Sequence, residues 1–164
     1  MPPFMPRPGR RRPRVRPGAD ARQTGGAEAG EVEKWLRRDC FDAVCIVQGE
    51  TSNTVHNKQL EAISRVARKQ GCAVIVDAVC TLTTMPLDMD AWEVDAVITG
   101  GQKGLSSIPG VSLLAFSERV WNEKIVSRTS IPAHWCLDAQ LADKFWNQHS
   151  YHYTAPVSGI LALH

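Results

Sequence analysis

Two residues stand where chemistry is possible. Asp77 closes the apolar run "CAVIVD", and Lys103 follows the next run, "EVDAVITGG", after Gln102. A lysine amine condenses with an aldehyde to a Schiff base, and a carboxylate can hold a cationic ring nitrogen. Taken singly, a strand-end lysine is more often solvated or ion-paired, and a strand-end aspartate is often a cap. Nucleotide-binding readings fail. Gly104 follows Lys103 where the phosphate-loop pattern requires Ser or Thr, and no G-x-G-x-x-G is present. A Schiff-base lysine beside a ring-binding carboxylate is what remains, and these are the two protein groups that pyridoxal phosphate most needs.

The surrounding elements must bring that pair together. "FDAVCIVQ" (41–48), "CAVIVD" (72–77), "EVDAVITGG" (93–101) and "VSLLAF" (111–116) are compact apolar runs of strand length. Residues 31–39 predict a short helix. In "NKQLEAISRVARKQG", Leu60, Ile63, Val66 and Ala67 recur at helical spacing, and Gly71 stands where a C-terminal cap belongs. Strand, helix, strand is the βαβ unit, so the fold class is α/β, a mainly parallel sheet with helices on both faces. In such sheets ligands bind beyond the carboxyl ends of the strands. "QGETSN" (48–53), "DAVCT" (77–81) and "TGGQKG" (99–104) fall there. The turn Gly100-Gly101-Gln102 is expected to offer backbone donors to a phosphate.

Composition narrows the class. The 164 residues are 43% apolar and 22% charged, as in soluble globular proteins, and no apolar stretch approaches a membrane span. The net charge of +2 conceals six arginines between Arg7 and Arg16; without them 13 basic residues face 17 acidic ones. The body therefore carries no broad nucleic-acid footprint. Residues 1–30, rich in Pro, Arg and Gly, are expected to be a disordered leader, with residues 31–164 the folded part. No secretory segment precedes them, which gives a cytoplasmic default that leaves organellar import open. Cys40, Cys45, Cys72, Cys80 and Cys136 form no C-x-x-C pair, which argues against zinc and disulfides. Cys45 and Cys72 lie in apolar runs, where a free cysteine acts as a small hydrophobe. His149 and His152 fit no strong zinc spacing, so no metal is expected. Trp121, Trp135 and Trp146 are expected in the core or an interface, and His56 on the surface.

The stretch "VIVDAVCTLTTMPLDMDAWEVDAVITGGQKGLSSIPGVSLLAFSERVW" resembles the cofactor-binding core of class V aminotransferases, nearest the alanine–glyoxylate and serine–glyoxylate (serine–pyruvate) branch. The resemblance covers roughly residues 41–164. It rests on a strand-end Asp, P-L-x-M-D, G-x-Q-K, P-G and a strand ending in F-S, in family order. "GETSNTV" (49–55) resembles G-E-[ST]-S-x-G, with Thr54 where glycine is usual. "SYHYTAPVSGILALH" (150–164) resembles Y-x-x-T-x-P-V.

The resemblance implies the large domain of a fold-type I pyridoxal-phosphate enzyme, incomplete here. It implies transfer of an amino group from alanine or serine to glyoxylate or pyruvate. By that resemblance Lys103 is the Schiff-base lysine and proton carrier, and Asp77 binds the ring nitrogen. Val79 packs on the ring, Thr51 bonds its phenolic oxygen, and Gln102 bonds the phosphate. Tyr151 and Thr154 reach the phosphate of a neighbouring subunit in a homodimer with shared sites. The family also has an upstream phosphate loop, a stacking aromatic and a C-terminal arginine for the substrate carboxylate. None has a match here, so the chain alone is expected to be catalytically silent. Desulfurases and lyases with the same cofactor more often place His before the lysine, where this chain has Gln102. A non-catalytic remnant is the other alternative.

Overall fold

The computed structural model describes residues 25–130 and 134–164. Most of the segment expected to be disordered, residues 1–24, lies outside the described residues. Its end does not: α1 (Ala29–Arg38) begins inside it, and Ala27 and Ala29 pack against the core. The Ala29 N–H donates to Gln59 Oε1 at 2.9 Å, which fastens the start of α1 to the chain preceding α2.

Four strands form the main sheet: β1 (Ala43–Val47), β4 (Ala73–Asp77), β5 (Ala96–Gly100) and β6 (Ser112–Phe116), side by side in that order. Between β1 and β4 run a small hairpin, β2 (Gly49–Glu50) with β3 (Val55–His56), and α2 (Leu60–Lys69). β1, β4 and β5 are parallel, with Val47 opposite Asp77 and Asp77 opposite Ile98. β6 runs antiparallel to β5, Gly100 opposite Ser112. The connection between them is a glycine- and proline-containing turn with no crossover helix, and only an antiparallel neighbour is reached that way.

α2 ends as its sequence dictates. Gly71 adopts φ +76°, the Gly71 N–H donates to Arg68 O at 2.9 Å, and the Cys72 N–H reaches back to Ala67 O at 3.0 Å. This is the Schellman closure, which turns the chain straight into β4. The apolar stripe Leu60, Ile63 and Ala67 is buried against Ile46, Val74, Val76 and Val97. Each large side chain so removed from water contributes about 1.5–3 kcal/mol.

The mostly parallel sheet with packed helices is as expected, and among the described residues the core-forming helical cover lies on one face. α2 and α1 lie over the face bearing Val74, Val76 and Val97. On the opposite face Val47 is 38% exposed, Ile98 38% and Leu114 55%, and Cys45 is exposed too. Cys45 therefore does not act as a buried hydrophobe, because its position alternates onto the open face; Cys72 is buried as expected.

Asp95, 1% exposed, binds the amino ends of the strands together. Its carboxylate accepts from the Val74 N–H (2.9 Å), Ser117 Oγ (2.9 Å), Arg68 Nη1 (3.1 Å) and Arg119 Nε (3.1 Å), and from Arg119 Nη2. Beyond β6, α3 (Glu118–Val120) starts at the Ser117 cap and continues as a π-helical stretch, Trp121–Val126. α4 (Ala139–Asn147) is capped by Asp138, and α5 (Val157–Leu163) follows Pro156. Among the described residues no helix is long and apolar enough to cross a membrane.

Candidate active site

Three loops leave the carboxyl ends of β1, β4 and β5, and each carries residues singled out above. The β4 loop begins at Asp77. Its Oδ1 accepts the Val79 N–H at 2.9 Å, which orients the carboxylate while Asp77 stays exposed. Val79 is half-buried. The loop is anchored underneath by a buried pair: Thr81 Oγ1 donates to Gln48 Oε1 at 2.6 Å, and Gln48 Nε2 donates to Pro86 O at 2.8 Å. The Gln48 N–H also donates to Asp77 O at 3.0 Å, so β1 and β4 are tied where the site begins.

The β5 loop carries Gln102 and Lys103, both exposed. Gly104, next to Lys103, is fixed to the β4 loop from both sides. Its N–H donates to Val79 O at 3.0 Å, and its carbonyl accepts from Thr83 Oγ1 at 2.7 Å. A Cβ at Gly104 would collide with the Leu82 carbonyl oxygen, so only glycine permits this approach. Asp77 and Lys103 thus sit on two loops joined through the main chain.

The expected phosphate donors need correction. The Gly101 N–H is spent on Val111 O at 3.1 Å, where β6 begins, and is not available to an anion. The Gln102 side chain folds over Gly100, with Oε1 2.8 Å from where a Cβ would stand. Donors to a phosphate at this turn must come from groups other than the Gly101 N–H.

The β2–β3 hairpin supplies Thr51, exposed in its turn. Glu50 Oε1 accepts the Ser52 N–H at 2.8 Å. That bond and the Ser52 hydroxyl hold the Glu50 carboxyl below its ordinary range, with the nearby Lys103 charge adding to the effect. The hairpin, with its Thr51 turn, leaves the carboxyl end of β1, the same end of the sheet that carries the Lys103 loop. Gly49 allows it to close on the β4 loop, since a Cβ there would lie 2.5 Å from Thr81 Cγ2.

Tyr151 and Thr154 are exposed on the segment before α5, their hydroxyls 2.8 Å apart. Their neighbour His152 is 1% exposed and boxed by rings: it stacks on Phe145 (5.0 Å, 8°) and meets Trp135 edge-on (4.2 Å). Trp135 and Trp146 build that box yet remain 50% and 57% exposed, so neither is a core residue of this chain; Trp121 packs on Phe116. No group of three or more metal-ligating side chains exists among the described residues.

The structure thus gathers Thr51, Asp77, Val79, Gln102 and Lys103 at one end of the sheet. No contact given for Tyr151 or Thr154 joins them to that group. Sequence reasoning missed Gln48, Thr81 and Thr83, although Gln48 and Thr81 lie in the polar clusters at strand ends and Thr83 lies just beyond one. Strain marks the same end: Thr54 (φ +59°), Thr83 (+75°) and Ser106 (+54°) lie in these three loops. Left-handed non-glycine residues gather at functional sites.

The residues fit a pyridoxal-type group in part. An oriented, exposed carboxylate and an amine on a main-chain-locked loop suit a cationic ring and an aldehyde. Backbone donation to its phosphate from Gly101 does not fit. The six described arginines are all engaged elsewhere: Arg68 and Arg119 on Asp95, Arg128 on Asp138, Arg37 and Arg65 on glutamates, and Arg38 over Trp35.

Residues 17–163 match the family Aminotransferase class-V. The chain is 33% identical over 137 residues to alanine–glyoxylate aminotransferase of Oryctolagus cuniculus, a match covering 81% of this chain and 34% of that protein. Among solved structures it resembles alanine–glyoxylate aminotransferase from Nostoc sp. (33% identity, TM-score 0.75, covering 83% of this chain and 36% of that one). It also resembles ureidoglycine–glyoxylate aminotransferase from Bacillus subtilis (28% identity, TM-score 0.78, covering 86% and 36%). The chain spans about a third of the length of these relatives. With its β4-end aspartate, its β5-end lysine and a family match along most of its length, the chain belongs to the class V aminotransferase family.

Proposed function

We propose that this chain is the cofactor-holding part of a transaminase that moves an amino group from a small amino acid to glyoxylate. The observation that carries this is the pair of hydrogen bonds between Gly104 and the β4 loop, which couples the Lys103 loop to the Asp77 loop. Class V aminotransferases are pyridoxal-phosphate enzymes. When bound, that group acts as an electron sink for the charge left on the substrate carbon. Asp77 holds its ring nitrogen and keeps it protonated. Lys103 Nζ would hold the group through its aldehyde carbon and, once freed from it as an amine, would move a proton at the substrate Cα. Thr51 donates to the phenolic oxygen, Val79 shields a ring face from water, and the Gln102 amide donates to the phosphate.

Glyoxylate is favoured as acceptor because the alanine- and ureidoglycine-named relatives differ in donor and share it in name. Tyr151 and Thr154 reach the phosphate of a second copy, which makes the working protein a homodimer with two composite sites. We place it in the cytoplasm.

The test is capture. After pyridoxal phosphate and borohydride, the adduct is expected on Lys103 and lost in Lys103→Ala. Labelling at Lys58, Lys69 or Lys124 instead would overturn the assignment. With alanine and glyoxylate, any pyruvate formed should depend on Lys103. The rate should lie well below the ~1 s⁻¹ of ordinary enzymes, because every described arginine is engaged elsewhere. Sulfide release from cysteine would move the reading to a desulfurase.

A further inference from the structure

Thr83 is a β-branched residue held at φ +75°, a backbone region that such side chains resist. A loop that tolerates this strain on its surface gains something from the side chain. The Thr83 hydroxyl donates to Gly104 O at 2.7 Å, on the residue that follows Lys103. The rest of its loop is already pinned: Thr81 bonds buried Gln48, and Thr84 Oγ1 bonds Cys80 O and Thr81 O, each at 3.1 Å. Thr83 is thus the one side chain of this loop, among the bonds described, that reaches across to the lysine loop.

We infer that Thr83 is a positioning residue whose hydroxyl clamps the Lys103 loop onto the Asp77 loop and fixes the separation of amine and carboxylate. This rests on the cofactor reading above. Strain and clamping make opposite demands on the position, so substitutions can separate them. Thr83→Gly removes the strain and the hydroxyl, Thr83→Ser restores the hydroxyl with less strain, and Thr83→Val keeps the branching without the hydroxyl.

The experiment measures three quantities for each variant: the urea midpoint, the exchange of backbone amides in residues 101–108, and the half-life of pyridoxal phosphate on Lys103 before borohydride trapping. For Thr83→Gly the midpoint should hold or rise while amide exchange quickens and the half-life falls about fivefold, the scale of one hydrogen bond. Thr83→Ser should recover the half-life. Thr83→Val should lose both stability and half-life. If stability and half-life fall together in Thr83→Gly, or serine fails to rescue, the role is structural and the inference is wrong. If the wild-type chain captures the cofactor and Thr83→Gly does so equally long, the inference alone fails. If the wild-type chain captures none at Lys103, the cofactor reading fails and takes the inference with it.

Discussion

Replacing Asp95 tests what holds the sheet in register. Its carboxylate receives bonds from β4, α2 and the start of α3, and the Val74 N–H it accepts is fully buried. Breaking a buried ion pair by removing one partner typically costs about 3–5 kcal/mol. Here the arginines can retreat, since the side chains of Arg68 and Arg119 are 26% and 24% exposed. That argues for the lower end. The stranded Val74 N–H adds its own penalty of about 1–3 kcal/mol. For Asp95→Ala we therefore expect a loss of about 4–6 kcal/mol. Asp95→Asn keeps an acceptor for Val74 and should lose about 2 kcal/mol. Against a total stability of about 5–15 kcal/mol, either change is readily seen in a urea titration followed by tryptophan fluorescence. An Asp95/Arg119 double-mutant cycle should show coupling above about 1 kcal/mol. A cost for Asp95→Ala below about 1 kcal/mol would refute the reasoning, because the cluster would then be no more than a solvated surface pair.

Other expectations follow from single positions. Thr54→Gly should stabilise the chain by about 0.5–1 kcal/mol, because relief of a left-handed β-branched residue exceeds the entropy cost of glycine; a lower urea midpoint would contradict it. At Asp138, burial pushes the carboxyl up, but the Arg128 bond and the Leu141 and Gln140 N–H donors outweigh it and leave it below its ordinary value of 3.8. Its contribution is therefore complete above that value and lost as pH falls through the lowered one, so Asp138→Ala should cost about 1 kcal/mol at neutral pH and flatten the acid limb of a stability profile. Asp77→Ala should release the cofactor far faster with the urea midpoint unchanged; equal retention measured by absorbance would end its assigned role. Mixing Lys103→Ala with Thr154→Ala chains should restore cofactor capture in hybrid dimers, and no gain over either parent would count against shared sites.

The chemistry-bearing end of the fold was largely legible. An apolar β-branched run that stops on Asp77, and another that stops on a double glycine before Lys103, place both residues at strand ends by alternation and length alone. α2 and its Gly71 closure were readable because periodicity and cap coincide. What escaped depends on partners distant in sequence. Asp95 sits in "EVDAVITGG" like any polar start to a strand, and nothing local announces Arg68 and Arg119. The antiparallel course of β6 had a signal in "GGQKGLSSIPG", too short and too rich in turn formers for a crossover helix, yet adjacent strand-like runs bias a reader toward parallel pairing. Cys45 read as a small hydrophobe because an apolar run does not show which of its residues alternate onto an exposed face.

The Asp95 cluster lies at the amino ends of β4 and β5, and the Asp77 and Lys103 loops leave their carboxyl ends. Asp77 lies three residues along β4 from Val74, about 10 Å away, and Lys103 lies farther, beyond the end of β5. Effects of substitutions more than about 7–10 Å apart generally add without coupling. Adhesion and chemistry in this sheet are therefore free to vary independently. A lineage can exchange loop residues while drawing on a reserve of stability stored at the far end. Drift that weakens the far end lowers the amount of folded protein before it changes what the folded protein does.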